Sequence, residues 1–236
     1  MAEFLLVHGS CHGPWCWRDV IPALEARSHT ARAITLPGHA DGRDPAGVTL
    51  AETAEAVAAA STPETVIVGH SWGGFPISAA AEAHPERLRG LIYLCAYLPV
   101  SGMSLIEMRK AGPRQTLEGA TRKNAAGTAY SLVPKTAPDL FYHDCPDETV
   151  RFAMENLCEQ PIQPQDTPLR LSEQFAAIPK AYIRCTGDRV IPPEYQAHMA
   201  AQLPPARTHD MDTSHSPFFA DPERLAQLLG QIAKDF

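Results

Sequence analysis

The chain has 236 residues, with 20 Lys and Arg against 27 Asp and Glu and a formal charge of −7 when histidine is neutral. No basic block interrupts that acidic balance, which argues against a nucleic-acid surface. Hydrophobic residues make up 44% of the chain, enough for one sizeable core, while no run reaches about 18 unbroken apolar residues and MAEFLLVHG lacks a signal-peptide n-region; the expectation is a cytoplasmic protein without a membrane partner.

Short apolar runs alternate with helical stretches. FLLV (4–7) reads as a strand and PWCWRDVIPALEA (14–26) as the helix after it. ARAIT (31–35) is a second strand, LAETAEAVAAA (50–60) a second helix, and TVIVG (65–69) a third strand. FPISAAAEA (75–83) continues as a helix closed by His84-Pro85, and LRGLIYLCA (88–96) is a fourth strand. The rhythm returns with strand KAYIRCT (180–186), helix PPEYQAHMAAQL (192–203), strand ARTHDM (206–211) and helix PERLAQLLGQIAKDF (222–236), capped by Asp221. Unbroken apolar strands separated by helices point to an α/β fold, a mostly parallel sheet covered by helices on both faces.

Between these halves, residues 100–176 lack a strand rhythm and include the proline-punctuated QPIQPQDTP (160–168). A segment of that length is not a connecting loop. It reads as a mainly helical cap, inserted after the fourth strand and lying over one edge of the sheet. The core is thereby divided into 1–99 and 177–236.

VIVGHSWGGF (66–75) carries the chemistry. GHSWGG matches G-x-S-x-G between a predicted strand and a predicted helix, the context in which a serine sits on a strained turn above the sheet. Gly69 and Gly73 leave room for the turn and Gly74 for the helix behind it. Ser71 is the candidate nucleophile. A hydroxyl needs a base, and histidine serves near neutral pH. His215, in DMDTSHSP (210–217), follows the last strand and so shares the sheet edge with Ser71; His12, His29, His143 and His209 read as surface residues. For serine sites of this kind the orienting acid falls between serine and histidine in chain order. Asp188, in RCTGDRVIPP (184–193), is preferred, with Asp212 the alternative.

A developing oxyanion requires donors, for which the backbone N–H groups of Trp72 and Ser10 are the candidates. Ser10 lies in HGSCHGPW (8–15), where Gly9 and Gly13 permit a close approach. Cys11 and His12 do not form a zinc pattern with any other cluster, so no metal and no cofactor is expected. The six cysteines contain no C-x-x-C pair and read as reduced thiols.

HGSCHGPWCW (8–17), LPGHADG (36–42), GHSWGG (69–74), CTGDRVIPPEYQ (185–196) and DTSHSPFF (212–219) together resemble the α/β-hydrolase family, in particular the branch of plant methyl-ester hydrolases, hydroxynitrile lyases and bacterial relatives. The likeness covers the core, about 1–98 and 177–236. It implies the α/β-hydrolase fold with a helical cap, a Ser71–His215–Asp188 triad, an oxyanion hole at Ser10 and Trp72, and no cofactor. Lyases of that branch carry threonine after the first histidine of the HG motif and lysine after the catalytic histidine. Gly9 and Ser216 stand there instead, which disfavours cyanohydrin cleavage. Esterases of the branch often have methionine where Ser216 stands, so the acyl preference stays open.

The leading expectation is a serine hydrolase of small, mainly uncharged carboxylic esters, working through an acyl-enzyme. Met103, Leu105, Met108, Phe141, Phe152 and Leu157 are candidates for the cap side of its pocket, with Trp15 and Phe218 near the entrance. Lys110, Arg114, Arg122 and Lys123 read as a solvated cap face. Amide, carbamate or carbon–carbon bond hydrolysis by the same residues is the enzyme alternative. A ligand-binding receptor on a hydrolase scaffold is the non-enzyme alternative. A small-molecule ester is the expected partner, with a homodimer left open.

Overall fold

The computed structural model describes residues 1–236. Strand β1 (Glu3–Val7) leads through a 3-10 turn at Pro14–Trp17 to helix α1 (Val20–Glu25) and strand β2 (Thr30–Ile34). The helix expected over 14–26 is thus broken. Pro22 has no N–H and its ring excludes a helical carbonyl at Arg18, so α1 cannot extend further back. Helix α2 (Leu50–Ala59) starts at Thr49, which accepts the Glu52 N–H on its hydroxyl while the Glu52 carboxylate accepts the Thr49 N–H. Strand β3 (Thr65–His70), helix α3 (Gly74–Ala83) and strand β4 (Gly90–Leu94) follow.

The chain then leaves the main sheet until Lys180. The intervening segment holds α4 (Leu105–Ala111), strands β5 (Thr121–Lys123) and β6 (Ala129–Leu132), helices α5 (Ala137–Phe141) and α6 (Asp147–Asn156), strand β7 (Gln160–Pro161), then α7 (Gln163–Asp166) and α8 (Glu173–Ala177). Helices dominate, but β5, β6 and β7 form a small antiparallel sheet that periodicity did not announce. Strands of two to four residues are too short to display alternation. The outgoing and returning chains are stitched together at a neck. Gly102 N–H donates to Leu169 O at 2.7 Å, Leu169 N–H to Met103 O at 3.1 Å, and Leu171 N–H to Ser101 Oγ at 2.9 Å.

The core resumes with β8 (Lys180–Cys185), α9 (Pro193–Ala200), β9 (Thr208–Met211), α10 (Pro217–Ala220) and α11 (Pro222–Ile232). The six-stranded sheet has the order β2-β1-β3-β4-β8-β9, every pair parallel. Phe4, Leu5, Leu6 and Val7 of β1 and Val66, Ile67 and Val68 of β3 are buried, as strands covered on both faces must be. Right-handed crossovers explain the layering. The step from β1 to β2 runs opposite to every later step, so α1 lies on one face and α2, α3 and α9 on the other; α1 packs on α11 and α2 on α3. The direction reverses between β1 and β3. In open α/β sheets the crevice forms at the carboxyl ends of the two strands where that reversal occurs. Those ends carry the 8–13 loop and Ser71. No helix is long and apolar enough to cross a membrane.

Candidate active site

Ser71 occupies the first position after β3 with φ +53°, a left-handed conformation that costs a non-glycine residue roughly 1–3 kcal/mol. The surroundings hold it there. Tyr97 N–H donates to Ser71 O at 3.1 Å, and a Cβ on Gly69 would lie 2.6 Å from Ile77 Cδ1 and 2.8 Å from Gly73 O. Only glycine at 69 lets the chain turn this tightly from strand into helix.

The loop after β9 brings His215 to the serine, with His215 Nε2 2.9 Å from Ser71 Oγ. On the other side of the ring, Nδ1 lies 2.7 Å from Asp188 Oδ2, and neither side chain is exposed to solvent. Asp188 sits in the loop between β8 and α9, where Val190 N–H and Ile191 N–H donate to its Oδ1 at 2.7 and 3.0 Å. Gln196 Nε2, from α9, donates to Oδ2 at 2.8 Å. An ionised carboxylate only accepts, so the imidazole carries its proton on Nδ1 and presents Nε2 as an acceptor to the Ser71 hydroxyl. The alternative acids are engaged elsewhere: Asp212 is exposed and accepts from the Thr186 hydroxyl at 3.0 Å, and Asp210 pairs with Arg184 at 2.7 Å. The structure thus brings Ser71, His215 and Asp188 into one hydrogen-bonded line and leaves Asp212 outside it.

Ser10 and Trp72 flank the same cleft as Ser71. Several groups fix Ser10. His12 Nδ1–H donates to Ser10 O at 2.7 Å, Tyr142 O–H donates to His12 Nε2 at 2.6 Å, and Gln165 Nε2 donates to Ser10 Oγ at 2.7 Å. The expectation that His12 is a surface residue is therefore corrected. It is fully buried, and burial pushes its pKa down to about 4, which keeps it neutral as this network requires. His70 was also not singled out. Its Nε2–H donates to His215 O at 2.8 Å, tying the nucleophile turn to the histidine loop. Gly9 fits between them: a Cβ there would lie 2.6 Å from His70 Nδ1 and 2.9 Å from Ser71 Cβ.

The cleft beside Ser71 is narrow, about 20 Å³, and partly open to solvent. Leu105 and Phe141 line it as expected, joined by Tyr97, Leu117, Leu132 and Val190. Met103, Met108, Phe152 and Leu157 do not. Trp15 stacks on His12 at 5.2 Å and Phe218 packs edge-on against His70 at 5.0 Å, so both support the loops rather than the pocket. One charged side chain, Arg109, also lines the cleft, where the sequence placed no cation. His70, Cys95 and His215 bring potential metal-ligating atoms within 4.8 Å of one another. Both His215 nitrogens and His70 Nε2 are already engaged, and burial drives the Cys95 thiol pKa well up, so the set does not make a vacant ligand cage. All six cysteines are free.

A parallel sheet with a serine on a strained strand-to-helix turn and a capping insertion defines a class of hydrolytic fold. The match to the alpha/beta hydrolase family extends over residues 4–228, and the chain belongs to that family. It is 28% identical to Esterase PIR7B of Oryza sativa subsp. japonica, over 99% of this chain and 96% of that protein. It is 29% identical to Methylesterase 1 of Arabidopsis thaliana, over 99% and 97% respectively, in keeping with the resemblance to the plant methylesterase branch. Among solved structures it is similar to a pyrethroid hydrolase from Sphingobium faniae JZ-2, with a TM-score of 0.88, 28% identity, and coverage of 99% of this chain and 97% of that one.

Proposed function

We propose that the protein hydrolyses small carboxylic esters with Ser71 as nucleophile, His215 as general base and then acid, and Asp188 as the group that orients the imidazole. It is a carboxylesterase-like hydrolase. Ser71 Oγ attacks the ester carbonyl while its proton passes to His215 Nε2. The tetrahedral oxyanion is met by the Trp72 and Ser10 N–H groups. Collapse returns the proton from His215 to the departing alcohol, leaving an acyl group on Ser71. Water, activated by His215, releases the acid and restores the serine. Asp188 stabilises the transient imidazolium without taking its proton.

The observation that carries this reading is the buried line from Ser71 Oγ through His215 to Asp188, with each bond under 3 Å and the imidazole tautomer set by a carboxylate that only accepts. Esterase and methylesterase relatives over almost the whole chain add weight to ester chemistry. The test is turnover of a panel of short-chain esters, anilides and carbamates, with stoichiometric loss of activity on labelling by a fluorophosphonate. Esters are expected to dominate. Stable binding of esters without turnover or labelling would point instead to a receptor.

A further inference from the structure

The narrow cleft beside Ser71, about 20 Å³, is partly open to solvent. The wall on the cap side is shared with a second space, because Arg109 and Tyr130 line both the inner cleft and an outer cavity of about 280 Å³. A substrate with its carbonyl at Ser71 therefore lies against these two side chains, which also face the outer cavity.

The charges there are one-sided. Arg109, Lys110 and Lys123 line the outer cavity against a single acid, Asp166, in a protein whose net charge is −7. Arg109 lies one helical turn beyond Leu105 on α4, which turns it to the same face as that pocket residue. It is half-buried, forms no ion pair and donates no side-chain hydrogen bond, and unlike the equally unpaired Arg89 it lines the cleft that holds Ser71. Burial pushes the Tyr97 and Tyr130 phenol pKa values up, and Arg109 is near enough for its charge to oppose both shifts. A ligand that fills the cleft shields the guanidinium from solvent, and a wholly neutral ligand would leave that charge desolvated without a partner.

We propose that the preferred substrate carries a carboxylate remote from the scissile ester, held by Arg109 at the junction of the two cavities. Lys110 and Lys123 provide the positive surroundings. Half-esters of short dicarboxylic acids are the class that meets both requirements. This inference rests on the esterase reading of Ser71 and, in place of the mainly uncharged esters expected from the sequence, specifies anionic ones. The guanidinium fork matches a carboxylate with two parallel hydrogen bonds, a geometry lysine does not reproduce.

The test compares monomethyl succinate, glutarate and adipate with the methyl alkanoates of matching length. Values of kcat/KM are measured for the wild type, Arg109→Leu and Arg109→Lys, and the ratio of half-ester to neutral ester is taken within each protein, so that loss of folded enzyme cancels. The wild-type ratio should exceed one for at least one chain length and fall as salt is added. Arg109→Leu should lower it by roughly 10- to 100-fold, chiefly through KM, and Arg109→Lys by less. Turnover of neutral esters with no preference for any half-ester, or a ratio unmoved by Arg109→Leu, overturns the inference while leaving the esterase reading intact. Absence of turnover with either series overturns both.

Discussion

Replacing Asp188 by Asn tests the proposed catalytic role of the whole Ser71–His215–Asp188 line. The carboxylate accepts four N–H groups: Val190 and Ile191 on Oδ1, Gln196 Nε2 and His215 Nδ1 on Oδ2. Asparagine keeps one acceptor oxygen. If that oxygen stays with the two backbone amides, which cannot turn away, the new NH₂ faces Gln196 and His215, both donors. Gln196 cannot simply flip its amide, because its oxygen accepts Cys185 N–H at 2.9 Å. His215 is the group that can adjust, by moving its proton to Nε2 and accepting on Nδ1. That proton then faces Ser71 Oγ, and the imidazole can no longer act as its base. A loss of roughly 10⁴ in kcat is expected. A residual donor–donor conflict at Gln196 should cost about 1–3 kcal/mol of stability. Hydrolysis of a chromogenic short-chain aryl ester gives kcat, and denaturant unfolding gives the stability change. An Asp188→Asn variant that retains more than about a tenth of wild-type kcat, or a collapse of activity in Asp212→Asn instead, would refute the reasoning.

Ser71→Ala should fold normally and lose on the order of 10⁶ in kcat, and more than a few per cent residual activity would remove Ser71 from the mechanism. Stability should fall in acid. Burial lowers the pKa values of His8, His12, His39 and His70, that of His12 from 6.5 to about 4. With the folded value below the unfolded one, the stabilisation is complete above about pH 6.5 and is lost as pH drops toward 4, at up to roughly 1.4 kcal/mol per histidine per pH unit. Urea midpoints that stay level from pH 7 to 5 would contradict it. Cyanide release from mandelonitrile should not exceed the buffer background, since neither Gly9 nor Ser216 supplies the hydroxyl or ammonium that the lyases of this branch use; efficient release by the wild type would overturn that. Gly9→Thr should depress ester hydrolysis, because its Cβ would press on His70 and Ser71; undiminished turnover would mean the turn yields freely.

Which features were legible in the sequence follows from how local their causes are. The meeting of Ser71, Asp188 and His215 was legible because a strained turn demands glycine two residues from the serine and because Asp188 and His215 each lie a few residues beyond a recognisable strand. The central strands declared themselves through unbroken apolar runs. Gln196 left a fainter sign, a polar side chain on the stripe with Met199 and Ala200, but its role depends on how α9 packs on β8. His12 carried no local sign. The Tyr142 hydroxyl that meets it comes from 130 residues further along the chain. Arg109 was equally hidden, because a basic residue in the last turn of a helix reads as favourable to the helix dipole until the buried face is known. The cap sheet escaped because its strands are short, although Asn124 and Gly127 mark the turn between two of them; Gly127 has φ +71°.

The stitched neck at residues 101–103 and 169–171 gives the architecture a modular character. Everything between its two sides is a closed excursion whose ends are held together at the neck, and its Tyr142 and Gln165 reach back to the loop after β1. The entropy of closing such a loop rises only with the logarithm of its length, about 0.6 kcal/mol for each doubling. That low cost holds where the excursion touches nothing in the core, as at the exposed residues 125–127 between β5 and β6, and not at Tyr142 or Gln165, which hold the 8–13 loop. Arg109, Leu117, Tyr130, Leu132 and Phe141 all belong to that excursion, whereas Ser71, Asp188 and His215 lie on turns and loops that follow strands of the sheet. The pocket wall can change through the one while the hydrogen-bonded line stays in the other, and a chimera that carries a relative's excursion together with its 8–13 loop should move toward the relative's choice of ester.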